Sequence, residues 1–443
     1  MSNKALILTI GTGNVDELET SLLTPLQKSI SKGEWQKVVL LPSQITKKFA
    51  GMLQDRIGSA PIEISPLPKA KQEDDADSCF AHFDEVMNGL HSQGYLNQNI
   101  VADFTRGTKA MSAALVLAAV RHEIPVLRYI TSDRRDNRGQ VVSGQEMINE
   151  ISTTTATGQQ KLDTALRFIS SGAFAAVLEL LPDPANSFAK IGWPEKMLPQ
   201  LSAIRSMAEF YSSWEKFDYP SAFRIAEAEL DSWTKMKKDF ANWKEYFPNK
   251  EMRKWVQNLS EPLTKAHKSK SPILRKIAAD LLANAERRVR DNQLEDAVIR
   301  AYRIRELIAQ IRLFDNGIDS DDVQRDHPAL LGVQDKLKKD GRQSWHTGEG
   351  GRYQASREKA AMLLTALGDK MGAKLLKENR ESLLSTKSRN NSLLIHGFRS
   401  MGNVDKKKLL SDFKEMETLI REDDPQNAQR NLELARSINF GVK

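Results

Sequence analysis

The chain carries one cysteine, Cys79, in 443 residues, and seven histidines with no close pairs among them. A single thiol excludes an internal disulfide and a cysteine-based metal cluster, and the histidine spacing offers no ligand pair, so no structural or catalytic metal is expected. No apolar run reaches the roughly 18 to 20 residues needed to cross a bilayer. Met1-Ser2-Asn3-Lys4 leads directly into a strand pattern without a signal-peptide profile, which predicts a cytoplasmic protein with no membrane partner. Neither sign of charge dominates: residues 1–150 hold 16 Lys and Arg against 18 Asp and Glu, leaving 49 against 40 for the rest. The basic surplus therefore lies in the C-terminal two-thirds, as it would in a part that handles nucleic-acid phosphates and equally in ordinary solvated helices.

With 40% hydrophobic and 28% charged residues, the composition is that of a globular protein, and the length calls for two or three domains. Four short apolar runs open the chain: Ala5 to Ile10, Lys37 to Leu41, Asn99 to Asp103 and Pro125 to Ile130. Runs of this kind are buried on both faces and, alternating with helices, predict a parallel, doubly wound, Rossmann-like α/β domain over residues 1–150. The stretch from Ala110 to Val120 is too apolar for an exposed helix. Ser152 to Thr157, rich in Ser and Thr, reads as a linker, and Lys161 to Leu181 as one amphipathic helix stopped by Pro182-Asp183-Pro184. Residues 151–290 are expected to be a helical linker domain whose tryptophans at 193, 214, 233, 243 and 255 serve its core. Residues 291–443 form a last, all-α domain.

Ligands of doubly wound sheets bind beyond the C-terminal ends of the strands. A dinucleotide is a poor fit there, because Gly11-Thr12-Gly13 is followed by Asp16 where the third glycine belongs, and Ser43 stands where an acid would hold the ribose. A P-loop is excluded as well, since Gly107-Thr108-Lys109 lacks the four-residue spacer. What remains is Asp103-Phe104-Thr105-Arg106-Gly107-Thr108-Lys109-Ala110-Met111, a strand-to-helix loop with a glycine for close approach, hydroxyls, and two cations for phosphate. The predicted ligand-binding set is Gly11, Thr12, Gly13, Asn14, Ser43, Thr105, Arg106, Gly107, Thr108, Lys109 and Met111.

Near the C-terminus, Arg389-Asn390 precedes His396 in a helical pattern. Seven steps at roughly 100° each bring the Arg389 and His396 side chains onto one face. A fixed cation beside a group that titrates near neutrality suits phosphodiester cleavage without a metal, with the histidine moving protons and the arginine holding the extra charge of the transition state. Upstream, Asp296 to Gln310 has apolar residues at 297, 301, 304, 308 and 311, predicting an amphipathic helix with one buried stripe. For its Tyr302, Arg303 and Glu306 the first expectation is surface and salt-bridge chemistry, and the second is support of the active site by Arg303 and Glu306.

Arg-Asn, six residues further His, and a glycine directly after resemble the signature of HEPN ribonucleases, and Asp296–Gln310 resembles the first long helix of the HEPN domain in CRISPR-associated proteins. The loop at 103–111 is similar to the Thr-Gly-Gly-Thr-Lys loop of CARF sensor domains, with Arg106 where glycine is more usual. Together they resemble the CARF–HEPN ribonucleases of type III CRISPR defence. That resemblance implies a sensor domain at 1–150, a homodimer, and a cyclic oligoadenylate, the tetra- or hexa-adenylate, as allosteric activator in place of any cofactor. It implies a HEPN endoribonuclease at 291–443 that acts on single-stranded RNA, with Arg389, Asn390 and His396 catalytic and with 2′,3′-cyclic phosphate and 5′-hydroxyl products. Ring-nuclease activity of the sensor domain on its own activator is a further implication. The competing expectation is a nucleotide-sensing regulator whose HEPN-like domain only dimerises or binds nucleic acid.

Overall fold

The structure, a computed structural model, describes residues 4–13, 17–58, 61–131, 147–183, 193–260, 271–340, 353–376 and 405–438. Two compact units emerge: Met1–Ala165 with Leu180–Ser202, and Leu166–Glu179 with Ala203–Lys443.

The first unit is built on strands β1 (Ala5–Ile10), β2 (Lys37–Pro42), β3 (Ile62–Ile64), β4 (Ile100–Asp103), β5 (Val126–Thr131) and β6 (Met147–Ser152). Their order across the sheet is β3-β2-β1-β4-β5-β6. The first five pair in parallel, and β6 pairs antiparallel with β5. The sheet is therefore mixed at one edge instead of wholly parallel. The four apolar runs are its central strands. Two strands escaped the hydrophobic pattern for a physical reason: β3 has only three residues and β6 is polar and half-exposed, as edge strands are. In particular Ser152 ends β6 and Thr154 begins a helix, which corrects the linker reading of Ser152–Thr157.

Alternation along β1 explains why its run is continuous. Ala5 and Ile7 enter a core with Phe83, Met87 and Leu90 of α3 (Ala76–Ser92) and with Met111 and Leu115 of α4 (Lys109–Arg121). Leu6, Leu8 and Ile10 enter a second core on the opposite face, with Leu26 of α1 (Thr24–Ser31) and Phe49 and Leu53 of α2 (Lys47–Ile57). A strand covered on both faces has no polar side to show. The expectation for Ala110–Val120 needs one correction: α4 buries Met111, Ala114, Leu115, Ala118 and Ala119, but Leu117 is 58% exposed.

The second unit is helical, and two of its helices, Thr154–Ser171 and Leu198–Glu215, begin within the first. The predicted helix Lys161–Leu181 is two, α5 (Thr154–Ser171) and α6 (Phe174–Leu180), broken where Gly172 takes φ +80°. They are followed by α7 (Leu198–Glu215), α8 (Tyr219–Ala228), α9 (Leu230–Asp239), α10 (Lys250–Leu259), α11 (Ser271–Arg290) and α12 (Leu294–Asp315). Trp214, Trp233, Trp243 and Trp255 are buried, as core tryptophans should be, whereas Trp193 is only half-buried. Helix α12 differs from its expected single stripe. Besides 297, 301, 304, 308 and 311 it buries Val298, Tyr302, Arg305, Leu307, Ala309 and Leu313, so packed neighbours surround most of it. Tyr302 is accordingly a core residue, 5% exposed, and not a surface one.

Candidate ligand loop and the HEPN segment

The loop residues converge at the C-terminal edge of the sheet because β1 lies between β2 and β4. Their anchor is Asp103, the last residue of β4 and fully buried. Its carboxylate accepts from the Ser29 hydroxyl, the Thr105 hydroxyl and the Thr105 backbone N–H, the last at 2.8 Å. Burial pushes its carboxyl above the ordinary range, while these hydrogen bonds and Arg128 pull the other way. Thr105 in turn accepts from the backbone N–H of Ile130 at 2.9 Å, which ties the loop to β5.

Gly107 lies at φ +138°, a region closed to residues with a side chain, and a Cβ there would sit 3.1 Å from Thr9 Oγ1. Thr9 on β1 donates to the carbonyl of Arg106, so the first and fourth strand ends are stitched together. Ser43, at the end of β2, is buried and makes a hydroxyl turn with Thr46: Ser43 N–H donates to Thr46 Oγ1 at 2.8 Å, and Thr46 Oγ1 donates to the carbonyl of Ile10 at 2.9 Å. Thr108 is the N-cap of α4, accepting from Met111 N–H at 3.2 Å and donating to the carbonyl of Glu73.

The predicted set therefore separates into two kinds. Ser43, Thr105 and Thr108 spend their hydroxyls on the loop's own architecture, and Met111, 1% exposed, packs beneath Gly107 as core. Thr12, Gly13 and Lys109 are exposed, with Gly11, Arg106 and Gly107 half-buried beside them, so this smaller group is the part of the set left open at the strand ends. Asn14 lies outside the described residues. Sequence reasoning missed Ser29 and Arg128. Arg128, 7% exposed, pairs with Glu150 at 2.9 Å, donates to the Ser29 carbonyl and lies over the Trp35 ring at 5.3 Å. Its signal was a charge inside the apolar run Val126-Leu127-Arg128-Tyr129-Ile130.

In the second unit, Arg303 is exposed enough to reach Glu306 at 3.3 Å and Gln310 at 2.8 Å along its own helix, the salt-bridge arrangement expected first. The buried neighbour Arg305 pairs with Glu415 at 2.7 Å and fixes α12 to the helix Lys406–Asp423. Arg389, Asn390 and His396 lie outside the described residues. Among the described residues no group of acidic, histidine or cysteine side chains could hold a metal ion, and no helix is long and apolar enough to cross a membrane.

Residues 266–419 match the family model described as the Csm6 HEPN domain. Over 99% of both chains the protein is similar in fold to Csm6 from Enterococcus italicus, solved bound to cyclic hexa-2'-fluoro-hexa-dAMP, at 14% identity and a TM-score of 0.54. No curated protein sequence matches. The match assigns residues 266–419 to the HEPN domain of Csm6-type, CRISPR-associated proteins.

Proposed function

We propose that the protein is a metal-independent, single-stranded-RNA endoribonuclease of type III CRISPR defence, switched on by a cyclic oligoadenylate bound at the loop edge of its sheet. The observation that carries this reading is that the segment matching the HEPN model, 266–419, contains Arg389, Asn390 and His396 in the family's spacing. The cyclic nucleotide in the Enterococcus italicus structure supports the activator class, and the exposed Thr12 and Lys109 beside Gly11 and Gly107 supply the hydroxyl, cation and open backbone such a phosphodiester needs. We assign 1–150 to the sensor, 151–290 to a helical linker and 291–443 to the nuclease.

In the proposed reaction His396 takes the proton of the ribose 2′-hydroxyl, whose oxygen attacks phosphorus. The P–O5′ bond breaks, a protonated histidine returns a proton to O5′, and the ends are a 2′,3′-cyclic phosphate and a 5′-hydroxyl. Arg389 stabilises the phosphorane charge and Asn390 orients the RNA. One arginine and one histidine surround a phosphate poorly, so the working cleft takes one such face from each chain of a homodimer. Mixing wild-type chains with excess His396→Ala chains, under conditions that permit exchange, tests this. Activity per wild-type chain falls as mixed dimers form; a constant value means that each chain holds a complete site.

A further inference from the structure

The stretch from α9 to α10 carries a concentration of positive charge that neither the sensor loop nor the HEPN residues use. From Lys235 to Lys254 seven Lys and Arg stand against three acids. Two of these cations converge, and a third, Lys244, bears on one of them electrostatically. Lys237 Nζ and Arg253 Nη1 both donate to the carbonyl oxygen of Pro248, at 3.3 and 3.2 Å. The two charged heads are thus no further apart than the sum of those distances and share one neutral acceptor. Lys237 is half-buried over the Phe247 ring at 5.6 Å. Its ammonium is held below the ordinary lysine range by burial first and then by Arg253 and Lys244, so the charges it feels are both cations. Among the described residues none of the three makes an ion pair with a carboxylate, although such pairs are common elsewhere in this unit, as at Arg275, Arg288 and Arg436.

Cations gathered without an acid repel one another, and the arrangement is relieved by an anion that meets several at once. A phosphate does so, with oxygens for both a guanidinium and an ammonium. Trp233, Trp243 and Trp255 in the same stretch are buried, so they offer no face for base stacking. Recognition here is of the sugar–phosphate backbone, independent of sequence.

We propose that Lys237, Lys244 and Arg253 form a phosphate-binding site for the backbone of an RNA strand, outside the catalytic residues. The proposal rests on the reading that the protein acts on RNA. Its test is equilibrium binding of the full-length protein to a fluorescent, fully 2′-O-methylated RNA, which lacks the hydroxyl needed for cleavage. Lys244 is exposed and its side chain makes no hydrogen bond among the described residues, so Lys244→Glu leaves the fold intact and should weaken binding several-fold. The triple variant Lys237→Gln, Lys244→Gln, Arg253→Gln should weaken it about tenfold or more and make the dependence of log affinity on log salt shallower by about 2, at roughly 0.7 per lost phosphate contact. Unchanged affinity and salt slope in both variants, or no binding by the wild type, overturns the site. Cleavage of ordinary RNA with activator is read in parallel. A nuclease whose variants bind as wild type loses only this site, whereas binding lost in the variants without any wild-type cleavage upholds the site and overturns the nuclease reading.

Discussion

Gly11 and Gly107 meet backbone to backbone: a Cβ on Gly11 would stand 2.7 Å from the Gly107 nitrogen. Neither partner is a flexible side chain that can give way, so Gly11→Ala must push the two strand-end loops apart. The substitution should cost about 1–3 kcal/mol of stability, the usual range for overpacking. It should also weaken activator binding more than a surface change of equal stability cost, since the loops it separates form the proposed site. Thermal melting and titration with cyclic oligoadenylate check this; a variant with unchanged melting and binding would show that the loops are not locked together.

Thr108 and Lys109 are adjacent in sequence and separable in role. Thr108→Ala removes the cap of α4 and should cost about 1 kcal/mol of stability. Lys109 is exposed, and Lys109→Ala should leave melting unchanged while raising the activator concentration needed for half-maximal cleavage about tenfold, since a charge-assisted phosphate contact contributes about 1.5–3 kcal/mol. An unchanged activation curve for Lys109→Ala would remove this lysine from the sensor.

Much of the first unit was legible in the sequence because burial on both faces of a central strand leaves a short, nearly continuous apolar run, and four such runs alternate with helical stretches. The edge strands β3 and β6 were not, because a half-exposed edge carries no such pattern. The ligand loop was readable as a segment, but which of its hydroxyls are spent internally was not. That depends in part on partners far along the chain, such as the Glu73 carbonyl for Thr108, 35 residues away, and the Ile130 N–H for Thr105, 25 residues away. Helix α12 shows the opposite error: its periodicity was real, but Tyr302 and Arg305 are buried because other helices cover the remaining sides, a fact of tertiary packing alone.

Asp280 offers a pH test within the helical unit. It is completely buried, accepts from the Tyr219 hydroxyl at 2.7 Å and Trp214 Nε1 at 3.1 Å, and burial pushes its carboxyl up to about 6, with Arg287 the foremost opposing influence. A carboxyl whose folded value lies above its unfolded one binds more protons when folded. Its contribution to stability is therefore complete below about pH 4 and is lost as pH rises through about 6. The stability difference between wild type and Asp280→Asn should shift by on the order of 2–3 kcal/mol across that window, in favour of the variant at neutral pH. Denaturant titrations at pH 4 and pH 7 give the difference; a pH-independent one would mean that Asp280 titrates alike in both states.

The central claim is that an activator on the sheet domain licenses metal-free RNA cleavage by Arg389 and His396. Its most direct measurement is cleavage of a fluorescent single-stranded RNA by the purified protein, in excess EDTA, with cyclic tri-, tetra- and hexa-adenylate supplied separately. The expected result is cleavage with the tetra- or hexa-adenylate only, little affected by EDTA, with 2′,3′-cyclic phosphate ends, and lost in both Arg389→Ala and His396→Ala while each variant still binds activator. Full activity in either variant, cleavage indifferent to every activator, or a loss in EDTA that magnesium restores would contradict it.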